Sequence, residues 1–324
     1  MLPPPSLDPA QRGDAGDDLA QPFQIDGAGL RGRLIRLGPS VDAILRRHDY
    51  PAPVARLLGE AMALAACLAS SLKYEGIFTL QARGEGALRF LVTDVTSAGH
   101  MRGYAGFDRS GIEAILADEP EPTAARLFSG GHLAFTVDQG RDAQLYQGIV
   151  PLEGVSLAES VHHYFRQSEQ IDTAIKAVCA PAAADAGGWR AAALMVQRLP
   201  GSSVPDADGL TPAEAREASD DGWRRAVLLM GSATAAEMLD PGLDANTLLY
   251  RLFHEDGVRV FAPRMLEERC RCGTRERIAG ILASLPRDQV ADLRLDDGSV
   301  TVTCEFCRRE ERFDEADLVR LHET

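Results

Sequence analysis

The 324-residue chain lacks the short motifs that announce common enzymes. It has no P-loop, HExxH or GxSxG pattern, and Gly84-Glu85-Gly86 lacks both the third glycine and the βαβ setting of a dinucleotide loop. Acyl, phosphoryl and hydride transfer are left without a supporting motif, so no catalytic residue is expected. Long hydrophobic runs are missing too: no eighteen consecutive residues are apolar, as a membrane-crossing helix requires. The opening Met1-Leu2-Pro3-Pro4-Pro5, followed by Asp14, Asp17 and Asp18, has neither the basic nor the apolar region of a signal peptide, so the expected location is the cytoplasm. Positive charge is scarce. Thirty-four Lys and Arg against 48 Asp and Glu leave a formal charge of -14, which repels phosphate backbones and anionic lipid, so neither nucleic acid nor membrane is an expected partner. Cysteine is the last scarcity, with six residues, too few for a disulfide scaffold.

Four of those six are crowded near the C-terminus, as Cys270-Arg271-Cys272 and, after 31 intervening residues, Cys304-Glu305-Phe306-Cys307. The other two stand apart. Cys67 lies in the small-residue run Ala61 to Leu68 and reads as a compact apolar side chain. Cys179 reads as a residue near the end of an element, with no function. Where thiols are kept reduced, a close-spaced group points to metal binding or redox chemistry. Zn2+ takes four ligands tetrahedrally, and two cysteine pairs drawn from distant sequence fill a closed structural site. Cys270, Cys272, Cys304 and Cys307 are therefore the expected ligands of one zinc ion per chain. In the first pair, one intervening residue on an extended backbone points both side chains the same way. Gly273 behind that pair supplies permissive backbone, which Arg308 behind the second pair does not. Arg269, Arg271, Arg308 and Arg309 surround the cluster with charge that favours thiolate, the oxidisable form of cysteine. Loss of such a metal removes on the order of 10 kcal/mol of folding energy from its module.

Composition divides the chain into four stretches. Residues 1–22, rich in Pro, Asp and Gly, read as a flexible leader. From 23 to 200, helical segments such as Val54 to Ser71 and Leu157 to Arg166 mix with strand-like ones. The latter include Ile77 to Leu80, Leu88 to Val92, Leu133 to Val137, Tyr146 to Val150 and Ala191 to Leu199, and the mixture suggests an α+β domain. Residues 201–262 hold eleven acidic against five basic side chains, with short helices near Trp223 to Met230 and Asn246 to His254. Short helices are marginal unless their apolar faces are covered, so this linker depends on its neighbours, with Trp223, Val227, Leu228, Leu248, Leu249, Leu252 and Phe253 expected to face the core. Residues 263–324 form a small module. Thr274 can cap a helix from Arg275 to about Ser284, Val300 to Thr303 is a strand leading into Cys304, and the four cysteines are the candidate staple.

The cysteine pattern resembles the zinc centre of the redox-regulated holdase chaperones of the heat-shock protein thirty-three family, the 33 kDa chaperonins. The likeness extends to His48-Asp49-Tyr50-Pro51, Tyr146-Gln147-Gly148, Leu152-Glu153-Gly154, Tyr164-Phe165-Arg166-Gln167-Ser168-Glu169-Gln170 and Leu249-Tyr250-Arg251-Leu252-Phe253-His254-Glu255, and covers about Phe23 to Leu318. It implies an ATP-independent holdase that is a folded, inactive monomer while reduced and zinc-bound. Oxidation would join Cys270 to Cys272 and Cys304 to Cys307, release zinc, unfold the module and the linker over 201–262, permit dimerisation and expose a surface for unfolding clients. Two residues depart from the family pattern: Arg308 stands where a small or turn-forming residue is usual, and Glu311 where an aromatic is common.

Two rival readings are weaker. A zinc ribbon for nucleic acid needs a basic face, yet residues 263–324 carry eleven Arg and fourteen Asp or Glu. A thiol-disulfide oxidoreductase needs Cys304-Glu305-Phe306-Cys307 at a strand-to-helix junction, but polar residues follow and the helix signal begins only at Asp314.

Overall fold

A computed structural model describes residues 17–140, 145–152, 156–169, 171–182, 188–198 and 211–322. Most of the expected leader lies outside these residues, but Leu19 to Pro22 do not: they open strand β1 (Leu19–Ile25), which pairs with β2 (Leu30–Leu37). The chain divides into two compact units, one ending at Glu268 and one starting at Arg269. Helices mixed with sheets that are antiparallel except where β12 joins the edge of one make the fold α+β.

Two sheets share one helix in the first unit. Next in chain order come α1 (Pro39–Leu45), α2 (Ala52–Ser71), β3 (Ile77–Arg83), β4 (Leu88–Thr96), β5 (His100–Phe107), α3 (Arg109–Asp118), α4 (Ala124–Phe128), β6 (His132–Asp138), β7 (Tyr146–Pro151) and α5 (Leu157–Tyr164). After α5 one turn is wound as a π-helix over Phe165–Glu169, followed by β8 (Thr173–Pro181) and β9 (Trp189–Arg198). One sheet contains β1-β2-β9-β8 and the other β5-β4-β3-β6-β7. Between them runs α2, which packs on β2, β8 and β9 of the first and on β3, β4 and β5 of the second. A helix apolar all round is what such a double burial demands, and every residue from Ala61 to Ala69 is buried. Arg56 and Glu60 interrupt its apolar run, yet by length and composition α2 is long and apolar enough to cross a membrane; here it is a core helix.

Small side chains let the sheets approach. A Cβ on Gly59 would lie 2.3 Å from the sulfur of Cys179, which sits near the end of β8 as expected. Cys67 is fully buried, and burial pushes its thiol up to about 12.

The opposite face of the first sheet, bearing Leu34, Ala192, Leu194 and Val196, is covered by α6 (Pro212–Ser232), α7 (Ala235–Leu239) and α8 (Ala245–Phe253). The segment expected as a linker thus docks through Ala226, Met230, Met238, Leu248, Leu249 and Phe253. Trp223, Val227 and Leu252 are partly buried, whereas Leu228 is 74% exposed and does not face the core. Cations rising from the sheet hold the helix ends. Lys176 Nζ donates to the carbonyl of Ala233 at 2.6 Å, Arg190 Nε to that of Leu239 at 2.6 Å, and the buried Arg36 guanidinium to those of Asp240 and Leu243. The chain then adds β10 (Val258–Val260) and β11 (Arg264–Met265) to β1, and β12 (Glu267–Glu268) to β5, before the second unit begins.

Glu60 gives α2 a pH dependence. Burial beneath β8 lifts its carboxyl to about 7 from 4.5, with Arg56 opposing only in part. Below the unfolded value both states are protonated and nothing is lost; above 7 the folded state carries a buried carboxylate. The group therefore destabilises the fold progressively as pH rises from 4.5 to 7, by about 3 kcal/mol at the full difference. Glu60→Gln should remove this component, so the stability gap between variant and wild type, from urea titrations, should widen across that interval. A constant gap would contradict the assignment.

Candidate metal centre

The second unit builds its site on very little core. Its elements are α9 (Arg275–Ser284), α10 (Arg287–Asp292), the hairpin β13 (Val300–Thr303) and β14 (Glu310–Phe313), and α11 (Glu315–His322). Leu282, Val290, Val300, Phe313 and Leu318 are its fully packed side chains. Thr274 occupies the residue before α9 as expected, but its hydroxyl caps no helix amide.

The two cysteine pairs meet at one end of the hairpin. The ladder of β13 and β14 closes with Thr303 opposite Glu310, and beyond it the Cys304 amide donates to the Arg309 carbonyl at 2.9 Å while the Arg308 amide donates to the Cys304 carbonyl at 2.8 Å. This tight turn aims Cys304 and Cys307 at Cys270 and Cys272. All four sulfurs lie within 4.8 Å of one another, with Cys270 to Cys304 and Cys272 to Cys307 both at 3.7 Å. Four sulfurs placed 2.3 Å from a central zinc at tetrahedral corners would be separated by about 3.8 Å. The donor set and spacing therefore fit a zinc tetrathiolate, and the group could hold a metal ion.

The thiols are unequal. Burial pushes Cys270 up to about 12, aided by hydrogen bonds with Cys307 and Cys304, and burial followed by the Cys307 contact raises Cys272. At Cys304 burial again opposes ionisation, but the backbone amides of Cys307 and Phe306 and the thiols of Cys307 and Cys270 outweigh it, so its pKa falls. A turn that offers amides to sulfur is a turn prepared for thiolate.

Both residues that depart from the family pattern acquire a physical role. Gly273 has φ +95°, and Arg308, its counterpart behind the second pair, is also left-handed, at φ +59°. That conformation costs a residue with a Cβ about 1–2 kcal/mol. Glu311 is nearly buried and lies between Arg309 and Arg275, with Arg275 Nη1 at 3.6 Å, so an ionic contact stands where an aromatic is common. Arg275, which the sequence reading passed over, braces the unit. It donates to the Arg312 carbonyl at 2.7 Å and lies over the Phe313 ring at 4.4 Å.

Other motif residues lie elsewhere. His48 stacks on Tyr50 at 5.1 Å and packs against Tyr104 at 5.2 Å, a structural arrangement, while Tyr146, Tyr164 and Glu169 meet in one hydrogen-bonded group. Glu153, Gly154 and Gln170 fall outside the described residues.

Strain at Arg308 is testable. Arg308→Gly should stabilise the C-terminal unit by about 0.5–1 kcal/mol net of glycine's greater unfolded entropy, and Arg308→Val should destabilise it by at least about 1 kcal/mol. Labelling of the four thiols against urea would read both shifts. Equal midpoints for the two variants would show that the turn carries no strain.

The chain is similar to known proteins over most of its length. The family model described as Hsp33 protein matches residues 18–314. A 33 kDa chaperonin of Caulobacter vibrioides is 40% identical over 294 residues, covering 90% of this chain and 93% of the relative. One from Ectopseudomonas mendocina is 41% identical over 307 residues, covering 94% and 95%. The crystal structure of the 33 kDa chaperonin of Thermotoga maritima superposes with a TM-score of 0.75 at 22% identity, covering 94% of this chain and 97% of that one, a likeness of fold. With the family model spanning most of its length and relatives near 40% identity, this chain belongs to the Hsp33 family.

Proposed function

We propose that the protein is a redox-regulated, ATP-independent holdase chaperone and not an enzyme, acting in the cytoplasm on unfolding proteins. The observation that carries the reading is the gathering of four cysteine sulfurs within 4.8 Å of one another, in a unit whose apolar core among the described residues is five buried side chains. Bound there by Cys270, Cys272, Cys304 and Cys307, a zinc ion would hold four thiolates together and cross-link segments that the small core cannot secure.

The switch then lies in the cysteines. Each disulfide forms from two thiolates that give up two electrons, so peroxide reduced to water, or hypochlorite reduced to chloride, balances the step at one oxidant per bond. Pairing Cys270 with Cys272 and Cys304 with Cys307 takes two equivalents and consumes every donor of the cluster. The unit loses its cross-link and unfolds. Cys270 is two residues from β12, whose pairing with β5 is the last contact of the first unit before the chain leaves it. Disorder passing that point frees β10 to β12 and then the segment over 201–262. The apolar face under α6 to α8 becomes available, to clients and to a second copy, giving a dimer from the reduced monomer.

Reduced protein should carry one zinc per chain and leave a chemically denatured client to aggregate. Treatment with hypochlorite, or with peroxide at mild heat, should release the metal to a chromophoric chelator and suppress light scattering from the client. With all four cysteines replaced by serine, oxidant should change neither signal. Protection by wild type that ignores oxidant, or reduced protein that is metal-free and fully folded, would overturn the reading.

A further inference from the structure

Beyond Ser71, where α2 ends, the space between the two sheets continues as a cavity of about 370 Å³ within the first unit. Arg31 of β2 and its register partner Gln197 of β9 line it from one sheet, Phe78 of β3 and Phe135 of β6 from the other. Phe78, Phe135 and Val137 are buried and make its inner wall, whereas Leu72, Lys73 and Gln139 are exposed and stand at its mouth. The volume is that of a site for a small molecule. Its side is closed by Tyr164, whose ring centroid lies 5.0 Å from that of Phe135, and by Phe165, edge-on to Tyr164 at 5.6 Å. Phe165 and Glu169 come from the π-helical turn, an irregularity that recurs at functional sites. A wall built of rings favours a flat aromatic occupant, which can meet them by offset stacking and edge contacts.

Charge around the cavity is unbalanced. Glu169, the acidic residue of the lining, is already engaged: its carboxylate accepts from the Tyr164 hydroxyl at 2.7 Å and from the Tyr146 hydroxyl. The cations are not. Arg31 and Lys73 have no carboxylate partner among the described residues. Successive odd-numbered residues of β2 share one face, and Ile35 and Leu37 place that face on the α2 side, where Arg31 and Arg33 stand two residues apart. Arg33 finds only carbonyl oxygens, donating to Ser70 at 3.2 Å and to Gly32 at 2.8 Å. Burial holds its guanidinium below the ordinary value, and the charge of Arg31 adds to that depression. The end of the cavity nearest α2 is therefore short of negative charge, and a single carboxylate would supply it, since a guanidinium can donate to both oxygens at once.

We infer that this cavity binds a small aromatic carboxylate, its ring among Phe78, Phe135 and Phe165 and its carboxylate paired with Arg31 and Lys73. The site lies on the α2 side of the first sheet, opposite the face covered by α6 to α8. It draws on neither the cysteine cluster nor the redox reading. A ligand held between both sheets binds the folded unit alone, so it stabilises that unit in proportion to its concentration.

Calorimetric titration of the full reduced chain with 2-naphthoate and with its neutral isostere 2-naphthamide tests the site. Saturable binding of a single naphthoate per chain is expected, with the amide about tenfold weaker or more, as loss of a charge-assisted hydrogen bond requires. The melting temperature should rise with naphthoate concentration. Arg31→Gln should weaken naphthoate about tenfold, and Lys73→Gln, at the exposed mouth, about threefold, while neither changes the affinity for the amide. Ser71→Trp, at the half-buried end of α2, should abolish binding of both by filling the entrance. Melting curves without ligand report whether each variant is folded; Lys73 and Ser71 lie outside the packed core, so their variants decide the matter even if Arg31→Gln does not fold. No saturable binding, equal affinity for acid and amide, or a naphthoate affinity unmoved by both Lys73→Gln and Ser71→Trp would overturn the inference.

Discussion

One helix inserted between two sheets sets the terms for everything else in the larger unit. Because α2 meets β2, β8 and β9 on one side and β3, β4 and β5 on the other, it has little surface left for charge, held to Arg56 and Glu60, and the rest of its sequence is accordingly alanine-rich, with Gly59 where Cys179 comes closest. A wider helix would drive the sheets apart, and a longer one would fill the cavity beyond Ser71. The same constraint explains the carboxyl of Glu60, retained at the margin of the sandwich and held far from its ordinary ionisation. Close packing on both flanks leaves little room for relaxation, so such positions tolerate change poorly.

Against that rigid body, the two remaining parts are held by different physics. The C-terminal unit relies on four sulfurs and on Arg275 with its carbonyl, ring and acidic contacts, because five buried side chains do not amount to a core of independent stability. The segment over α6 to α8 has ample apolar contact with the sheet, but its placement is specified by cations. Under the proposed function, a thiol-based cross-link there would be removed by two-electron chemistry without touching the larger unit, with the sensitive chemistry and the larger core in separate units.

Much of this was legible from residue order. Four cysteines at CxC and CxxC spacing announced a shared site, and hydrophobic alternation located β3, β4, β6, β7 and most of β9. What escaped were elements whose residues carry no local signal. β1 contains Gln21 and Pro22, and β2 carries Arg31, Arg33 and Arg36, so neither reads as a strand until its partners are known. The proline after it places Cys179 near an element's end, and β8 does end at Pro181. Arg308 looked unsuited to its turn on composition, and only backbone geometry shows that it adopts glycine's conformation regardless. The cavity was invisible in principle, since Arg31 and Gln197 are far apart in sequence and are joined only by strand register.

The cation contacts beneath α6 to α8 bear on how that segment can leave. Arg36, Arg190 and Lys176 donate to carbonyls of Gly231, Ala233, Leu239, Asp240 and Leu243, all at or just beyond the ends of α6 and α7. Those carbonyls converge only while the helices are formed, because an extended chain would spread them apart. Asp17, which lies 3.6 Å from Arg36 and also pairs with Arg190, supplies a carboxylate to both arginines, and Asp240 and Asp244 add their charge at Arg36. If one helix unwound alone, a guanidinium 1% exposed would stay beneath the remainder with part of its compensation gone, and an uncompensated buried charge costs about 3–5 kcal/mol. Partial release is therefore less favourable than either complete docking or complete departure, where water reaches the cations directly. Neutral backbone acceptors make the covering segment cooperative in a way that apolar contact, which can be given up piece by piece, would not.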